Sequence, residues 1–335
     1  MKNKKSLIAL ILAVVMLFAL AACGGSGEGE TTTDAATDTT SSEVTEKINV
    51  AAISGPTGMG MVEMMDDEKY NFTLTSDPTE IVSLISSKGA DIAACPLNLA
   101  ANLYKKTEGG IKILGLNTLG VLYFVTNGAE LNEVTELKGK TVYATGQGTT
   151  VEYILNYILE GNGLKVGEDV KVEYLSEHSE LVAEMTKGEV EYGVLPQPFV
   201  TVATAQNPDL KISLSLTDEW NKISPDTKLS MGCVIARTEF IEANPEAVKN
   251  FIAENKASVE FVNTDVNMAA ELVYEYGILA NAAVAKKAIP ECNIVFIDGD
   301  EMKKIAKANY EVYFNADPTS IGGAVPADDI YYVAE

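Results

Sequence analysis

The feature that most constrains the fold of this 335-residue chain is a pattern that occurs twice, about one hundred residues apart. In residues 80–96 a helical stretch ends in Lys88-Gly89, an acidic residue precedes an apolar strand, and a proline closes the strand. Residues 180–196 repeat this order, with Lys187-Gly188 at the matching place. Helices that alternate with strands over short loops favour a parallel sheet, and two such runs predict two similar α/β lobes.

The second lobe opens with the most informative stretch, LKGKTVYATGQGTTVEYILNYILEGNG, which covers residues 137–163. Residues 140–144 are predicted to form a buried strand, and a small-residue turn leads directly into a helix with an apolar stripe. Thr149 and Glu152 have capping-box spacing at the helix start, and Gly161 is predicted as a left-handed C-terminal cap. Such a turn presents unpaired backbone N–H groups at the carboxyl edge of a sheet, which favours a ligand and above all an anion.

Composition excludes several classes of partner. The formal charge is −23, and the chain contains a single arginine, Arg237. Nucleic acids and anionic membrane surfaces need clustered basic residues, so neither is an expected partner. The 47% hydrophobic content and the chain length are sufficient for a large buried core.

The N-terminus has the features of an export signal. Residues 1–22 combine a basic start with an apolar run too short for a comfortable membrane span. The run ends in Leu-Ala-Ala before Cys23, which resembles the lipobox of bacterial lipoproteins, so Cys23 is the predicted lipid anchor to the membrane. Residues 23–46 are rich in Thr, Ser, Gly and acid, and are predicted to form a disordered tether.

The remaining chain divides into two lobes joined by two crossover segments. Residues 47–121 together with 228–335 are assigned to lobe 1, and residues 122–227 to lobe 2. The apolar run 121–126 is interpreted as the first crossover, and 229–235 as the return to lobe 1. The expected fold class is therefore α/β, with a mostly parallel sheet and flanking helices in each lobe.

Four loops lie at the predicted carboxyl ends of strands, namely residues 54–60, 95–98, 146–150 and 195–198. Ligands of open α/β sheets bind at that edge, so these loops are the candidate binding segments. Aromatic residues near the edges, Tyr153 and Phe199 among them, could stack on a planar ligand, although most of them are expected to be core residues.

The sequence offers no recognisable set of catalytic residues. His178, at a predicted helix start, is expected to be solvated or to cap the helix, and no Ser–His–Asp or Cys–His arrangement can be assembled. Cys95, Cys233 and Cys292 lack the spacing of a metal site and are interpreted as buried hydrophobes. No metal and no cofactor is expected, and an enzyme is disfavoured.

These motifs resemble the substrate-binding proteins of ABC importers, in the nitrate/sulfonate/taurine (NitT/TauT) and thiamine-pyrimidine-precursor branch. The resemblance rests on residues 137–164, on GEVEYGVLPQPFVTVATAQNPDL at 188–210 and on Asn-Pro-Glu-Ala-Val at 244–248. It implies a periplasmic-binding-protein-like (type II) fold that closes on a small organic molecule. It also implies a monomer on the outer face of the cell membrane, with an ABC permease and its cytoplasmic ATPase as partners.

A ligand that bridges two lobes favours the closed state only through contacts with both of them, so each lobe is expected to supply binding groups. The candidate ligand-binding residues are Ser54, Gly55, Thr57, Gly58 and Asn98 from lobe 1, and Gln147, Gly148, Thr149, Thr150 and Gln197 from lobe 2. These loops contain no Lys or Arg. That composition favours a neutral, planar organic ligand, while an anion such as sulfonate or nitrate stays open at the helix N-termini. A sensor lipoprotein, or an enzyme on the same fold, is the alternative function.

Overall fold

The computed structural model describes residues 47–333, which fold around two β-sheets. The predicted signal peptide, Cys23 and the tether lie outside the described residues. The first sheet has the strands β1 Ile48–Ile53, β2 Tyr70–Thr75, β3 Ile92–Pro96, β4 Ile111–Leu119, β10 Ser230–Arg237 and β11 Ile294–Ile297. The second sheet has the strands β5 Leu122–Asn127, β6 Thr141–Thr145, β7 Lys171–Leu175, β8 Tyr192–Pro196 and β9 Leu210–Ser215.

The two sheets have six and five strands with related strand orders, and this confirms the two-lobe α/β fold, although both sheets are mixed and not mostly parallel as expected. The strand order is β11-β4-β10-β3-β1-β2 in the first sheet and β7-β6-β8-β5-β9 in the second. In each, a parallel trio (β2-β1-β3 or β7-β6-β8) is followed by one antiparallel strand. That antiparallel strand, β10 or β5, is the one that enters directly from the other lobe. The crossover segments are therefore built into both sheets.

Helices cover the sheets, and five of the twelve begin with a residue whose side chain accepts from the first backbone donors. Asp77 accepts a hydrogen bond from Thr79 N at the start of α2, and Asn281 accepts from two N–H groups at the start of α11. The helices are α1 Pro56–Met59, α2 Pro78–Ser86, α3 Leu97–Lys106, α4 Thr150–Gly161, α5 His178–Lys187, α6 Phe199–Gln206, α7 Leu216–Ile223, α8 Thr238–Ala243, α9 Pro245–Thr264, α10 Val266–Glu275, α11 Ala282–Ala288 and α12 Gly299–Ala316.

The largest hydrophobic cluster runs through both lobes. It joins Ile81 and Leu103 under the first sheet to Ile154 and Ile158 under the second. Helix α4 packs against α12, where the Tyr153 and Tyr313 rings lie 6.4 Å apart. Because apolar burial is continuous across this junction, relative movement of the lobes has to slide or open part of the core.

Two local features differ from the sequence-based expectation. Gly161 is not the left-handed cap of α4, because Gly163 has that conformation at φ 79°. Gly161 instead permits a close approach, since a Cβ there would lie 2.8 Å from Ile223 Cδ1. No helix was predicted between β9 and β10, yet α7 forms there, with Ser215 as its N-cap residue.

Candidate functional site

The loop after β1 is held rigidly by its own backbone. Ser54 N donates to Thr75 O at 2.7 Å, and the Thr57 hydroxyl donates to Ile53 O at 3.0 Å. Gly55 has φ 125°, a conformation that side chains rarely adopt, and a Cβ on Gly58 would lie 2.9 Å from Ile53 O. The two glycines therefore shape the loop, and Thr57 uses its hydroxyl within the protein.

Asn117 and Gly232, which sequence reasoning missed, support this loop from the neighbouring strands. Asn117 is buried, and its Nδ2 donates to Thr57 O at 3.1 Å. A Cβ on Gly232 would lie 2.6 Å from Thr57 Cγ2 and 2.7 Å from Asn117 Oδ1. No local sequence signal marks either residue, because their role depends on the pairing of β4 with β10.

Asn98 lies in the first turn of α3, at the carboxyl end of β3. It is half-buried, and its side chain has no hydrogen-bond partner within residues 47–333. One turn later Asn102 Nδ2 donates to Asn98 O at 3.2 Å and to Ser320 O at 2.6 Å. The start of α3 is thereby attached to the segment after α12.

The turn between β6 and α4 satisfies two of its backbone donors, Gly148 N and Thr149 N. Gln147 N and Thr150 N have no partner among the described residues, so the prediction of unpaired N–H groups is partly correct. Thr149 N and Oγ1 both donate to Gly146 O, and Val151 N donates to Thr149 Oγ1 at 3.3 Å. Glu152 Oε2 accepts from Gly148 N at 2.6 Å. The predicted capping box thus exists in a shifted form, because Glu152 reaches Gly148 instead of the N-cap. A carboxylate occupies the place that an anionic ligand would take.

The side chains of this turn differ in exposure. Gln147, Gly148 and Thr149 are exposed, whereas Thr150 is buried. Gln147 has no side-chain hydrogen bond within the described range. Of these residues, Gln147 is therefore the one whose side chain remains available to a ligand.

Gln197, after β8, is the least satisfied of the predicted residues. It is only 2% exposed, and its Oε1 accepts from Thr201 Oγ1 at 2.8 Å. Its Nε2 is buried and lacks a hydrogen-bond partner in the part of the chain that the structure describes. Its backbone N donates to Val121 O at 2.9 Å, in the first crossover. A buried amide donor therefore lies beside the connection between the lobes.

His178 is neither solvated nor a cap, which corrects the sequence-based expectation. Glu177 is the N-cap residue of α5, and His178 is half-buried. Its Nδ1 lies 2.5 Å from Thr145 Oγ1, and its ring centroid lies 4.8 Å from that of Phe199. Burial lowers the pKa of His178, so the imidazole is neutral at pH 7. The tertiary contact with Thr145 is long-range, so sequence spacing alone could not identify it.

The lobes touch on both sides of these loops. The Tyr153 hydroxyl lies 3.0 Å from Gly148 O and 3.1 Å from Asp317 Oδ2, and burial together with that carboxylate raises its pKa to about 12. On the other side Tyr123 donates to Glu291 O at 2.9 Å, and α6 packs against α11. The edges of the two sheets therefore meet along a junction bordered by acidic residues.

The described residues contain no other constellation of catalytic or metal-binding type. No group of three or more His, Cys, Asp or Glu within residues 47–333 could hold a metal ion. Over the same range no helix is long and apolar enough to cross a membrane. An open groove of about 540 Å³ lies elsewhere, between Lys112, Pro245 and Tyr331 on lobe 1. We do not assign it to the candidate site, because the four predicted loops contribute none of its lining.

Comparison with known proteins identifies the family. A family described as "NMT1/THI5 like" matches residues 71–265, which is more than half of the chain. The chain belongs to the NMT1/THI5-like family. This confirms the sequence resemblance at the level of the family. A search of curated protein sequences finds no match.

Solved structures share the fold of this NMT1/THI5-like protein. An ABC transporter protein from Parabacteroides distasonis is 23% identical with a TM-score of 0.73, over 86% of this chain and 99% of that chain. The periplasmic aliphatic sulphonate binding protein of Escherichia coli is 14% identical with a TM-score of 0.69, over 87% and 93% of the two chains. A Candida albicans protein with the generic periplasmic binding protein fold is 16% identical with a TM-score of 0.54, over 85% and 93%.

Proposed function

We propose that this protein is the extracytoplasmic solute-binding component of an ABC importer. It captures a small organic molecule between lobe 1 (47–121 and 228–335) and lobe 2 (122–227), and delivers it to a membrane permease with a cytoplasmic ATPase. A lipid on Cys23 anchors it to the outer face of the cell membrane, and residues 23–46 give the folded body reach from that anchor. The family, the fold and the lipobox-like sequence support this proposal.

The observation that carries the proposal is the unpaired amide of Gln197. A buried donor without a partner costs about 1–3 kcal/mol, and a ligand that satisfies it removes that cost. Nine buried side-chain polar atoms lack a partner among the described residues, and Gln197 Nε2 is the one that lies in a candidate binding loop, at a strand end and beside the first crossover. A ligand held between the lobes would accept this hydrogen bond and would gain affinity from it.

The charge of the junction favours a neutral ligand over a sulfonate or nitrate. Glu152 already accepts the Gly148 N–H, and Asp317 and Glu291 border the junction. The candidate loops supply no Lys or Arg. An anion would therefore meet carboxylates without a compensating cation, whereas a planar, neutral molecule could use hydroxyl, amide and aromatic groups.

Native mass spectrometry and a thermal-shift panel of pyrimidines, flavins, sulfonates and nitrate test the proposal. We expect a neutral heterocycle to bind, and Gln197→Met to weaken that binding at least 10-fold while the protein stays folded. Gln206→Met, at the exposed end of α6, is the matched control and should bind like the parent. Equal affinity of the Gln197→Met protein and the parent would contradict the assigned site.

The turn before α4 offers a second test. Gln147→Ala combined with Thr149→Ser should weaken ligand binding, because it removes the available Gln147 side chain. Serine at position 149 keeps the N-cap hydroxyl, so the fold is preserved. If this double variant binds as tightly as the parent, the turn is structural only. Cys23→Ala, in turn, should abolish the incorporation of labelled palmitate that we expect for the parent protein. Equal labelling of that variant and the parent would refute the lipid anchor on Cys23.

A further inference from the structure

His178 occupies a position in lobe 2 that the ten sequence-predicted residues do not cover. It is the first residue of α5, which follows β7 at the same sheet edge as the Gly146–Thr149 turn and Gln197. Phe199, the first residue of α6, lies beside it with the two rings tilted by 44°. Helix α6, which begins at Phe199, also packs against α11 of lobe 1.

The hydrogen bond with Thr145 couples the two imidazole nitrogens of His178. Thr145 is 2% exposed, and its hydroxyl has one hydrogen-bond partner in the described chain, His178 Nδ1 at 2.5 Å. Which of the two atoms donates depends on the tautomer of the ring. In the tautomer in which the hydroxyl donates to Nδ1, the neutral ring carries its proton on Nε2, which has no partner within residues 47–333.

This arrangement presents an oriented N–H donor next to an aromatic face. The Thr145 contact fixes the ring angle, and Phe199 covers one side of the imidazole. Gln197, two residues before Phe199, adds the second unpaired N–H donor of the same edge. A planar heterocycle with at least two acceptor atoms, either ring nitrogens or carbonyl oxygens, matches two donors and an aromatic wall.

We infer that His178 is a ligand-recognition residue, which donates from Nε2 to an acceptor atom of a neutral planar heterocycle while Phe199 packs on the ring of that ligand. The inference rests on the proposed solute-binding function and narrows its ligand to acceptor-bearing heterocycles. It assigns recognition to Thr145, His178 and Phe199, in addition to the turn before α4. Thr145 acts through His178 and is a positioning residue.

The experiment uses the fact that His178 is the only histidine of the chain. Protein labelled with ¹³C at histidine Cε1 gives one imidazole signal, which reports this site alone. The probes are cytosine, thymine and nicotinamide, with cyclohexanecarboxamide as the non-aromatic probe and methanesulfonate as the anionic probe. We expect an aromatic probe to shift the signal and to bind with measurable affinity in calorimetry, while the two comparison probes do neither.

Variants separate a recognition role from a structural one. His178→Ala should lose at least 10-fold in affinity for the bound probe, and His178→Gln, whose amide Nε2 offers an N–H at similar reach, should recover most of it. Tyr274→Ala removes an aromatic ring that is 53% exposed on α10, and should bind like the parent. Thermal unfolding of each variant shows whether the fold is intact.

The outcomes distinguish this inference from the proposed function. A probe that binds the parent and His178→Ala equally well overturns the role of His178 and leaves solute binding in place. If no aromatic probe binds the parent, the heterocycle class is overturned, and solute binding is then decided by native mass spectrometry of the purified protein. Loss in both His178→Ala and His178→Gln, with an intact fold, would contradict the donor role of Nε2.

Discussion

Gly120 lies between β4 and β5, directly before the first crossover segment, and a single methyl group there should disturb the connection between the lobes. A Cβ at this position would lie 2.1 Å from Thr217 Oγ1, in α7, and 2.8 Å from Leu229 Cδ2, at the start of the return to lobe 1. Gly120 has no positive φ, so alanine is acceptable to the backbone and the effect of Gly120→Ala is purely steric.

The magnitude follows from the size of the overlap. The distance to Thr217 Oγ1 is about 1.3 Å short of the 3.4 Å at which ordinary contact begins. Overpacking of this kind costs about 1–3 kcal/mol, which corresponds to a fall of roughly 2–4 °C in Tm for each kcal/mol in a domain of this size class. Urea unfolding followed by circular dichroism measures the free energy, and calorimetry measures Tm.

The double variant Gly120→Ala, Thr217→Ala provides the control. Thr217 Oγ1 is buried without a partner in the described chain, so its removal breaks no hydrogen bond, and it also relieves the closest contact. We expect the double variant to recover at least half of the stability lost in Gly120→Ala, which gives a coupling energy of about 0.5–3 kcal/mol. An unfolding midpoint of Gly120→Ala equal to that of the parent, or additive effects in the cycle, would refute the steric reasoning.

Two further predictions concern the Tyr153 hydroxyl between the lobes and the dependence of stability on pH. Tyr153→Phe removes the hydroxyl shared by Gly148 O and Asp317 Oδ2, so urea unfolding should show a loss of about 0.5–1.5 kcal/mol, and an unchanged midpoint would contradict this. Burial holds the pKa of His178 below 6.5, so the unfolded chain binds its proton first and stability falls as the pH drops below 6.5. His178→Gln should therefore show a smaller decrease in the free energy of unfolding between pH 7.5 and 5.5, and parallel curves would show that His178 contributes nothing.

Periodicity and strand-end signals were sufficient to predict the fold, because they are local. Residues 140–144 were predicted as a buried strand and form β6, and the run of residues 229–235 predicted β10, including its return to the first sheet. Helix α7 was missed, since its apolar residues Leu216 and Trp220 are few and its exposed face resembles a polar loop. Burial of Trp220 against Tyr157, at 4.9 Å between ring centroids, stabilises that helix through a contact between distant residues.

The end of α4 also depends on both a local signal and a contact with another element. Sequence position indicated that a glycine ends α4, but not which of Gly161 and Gly163 adopts the left-handed conformation. The helix retains Gly161 within its last turn because Ile223 of α7 packs directly against it. A residue from another element thus determines where the cap lies, and a local pattern carries no information about that neighbour.

The candidate site illustrates why residue types at a strand edge do not by themselves determine ligand charge. The spacing of Thr149 and Glu152 was correct as a cap signal, and a bare helix N-terminus would attract an anion. Glu152 accepts the Gly148 N–H at 2.6 Å, and Thr149 N is bonded to Gly146 O, so the protein itself occupies two of the donors before α4. The side-chain N–H groups of Gln147, Gln197 and His178, at the same sheet edge, have no described partner and suit neutral acceptors. The preference for a neutral ligand therefore follows from hydrogen bonds that form only after the chain has folded.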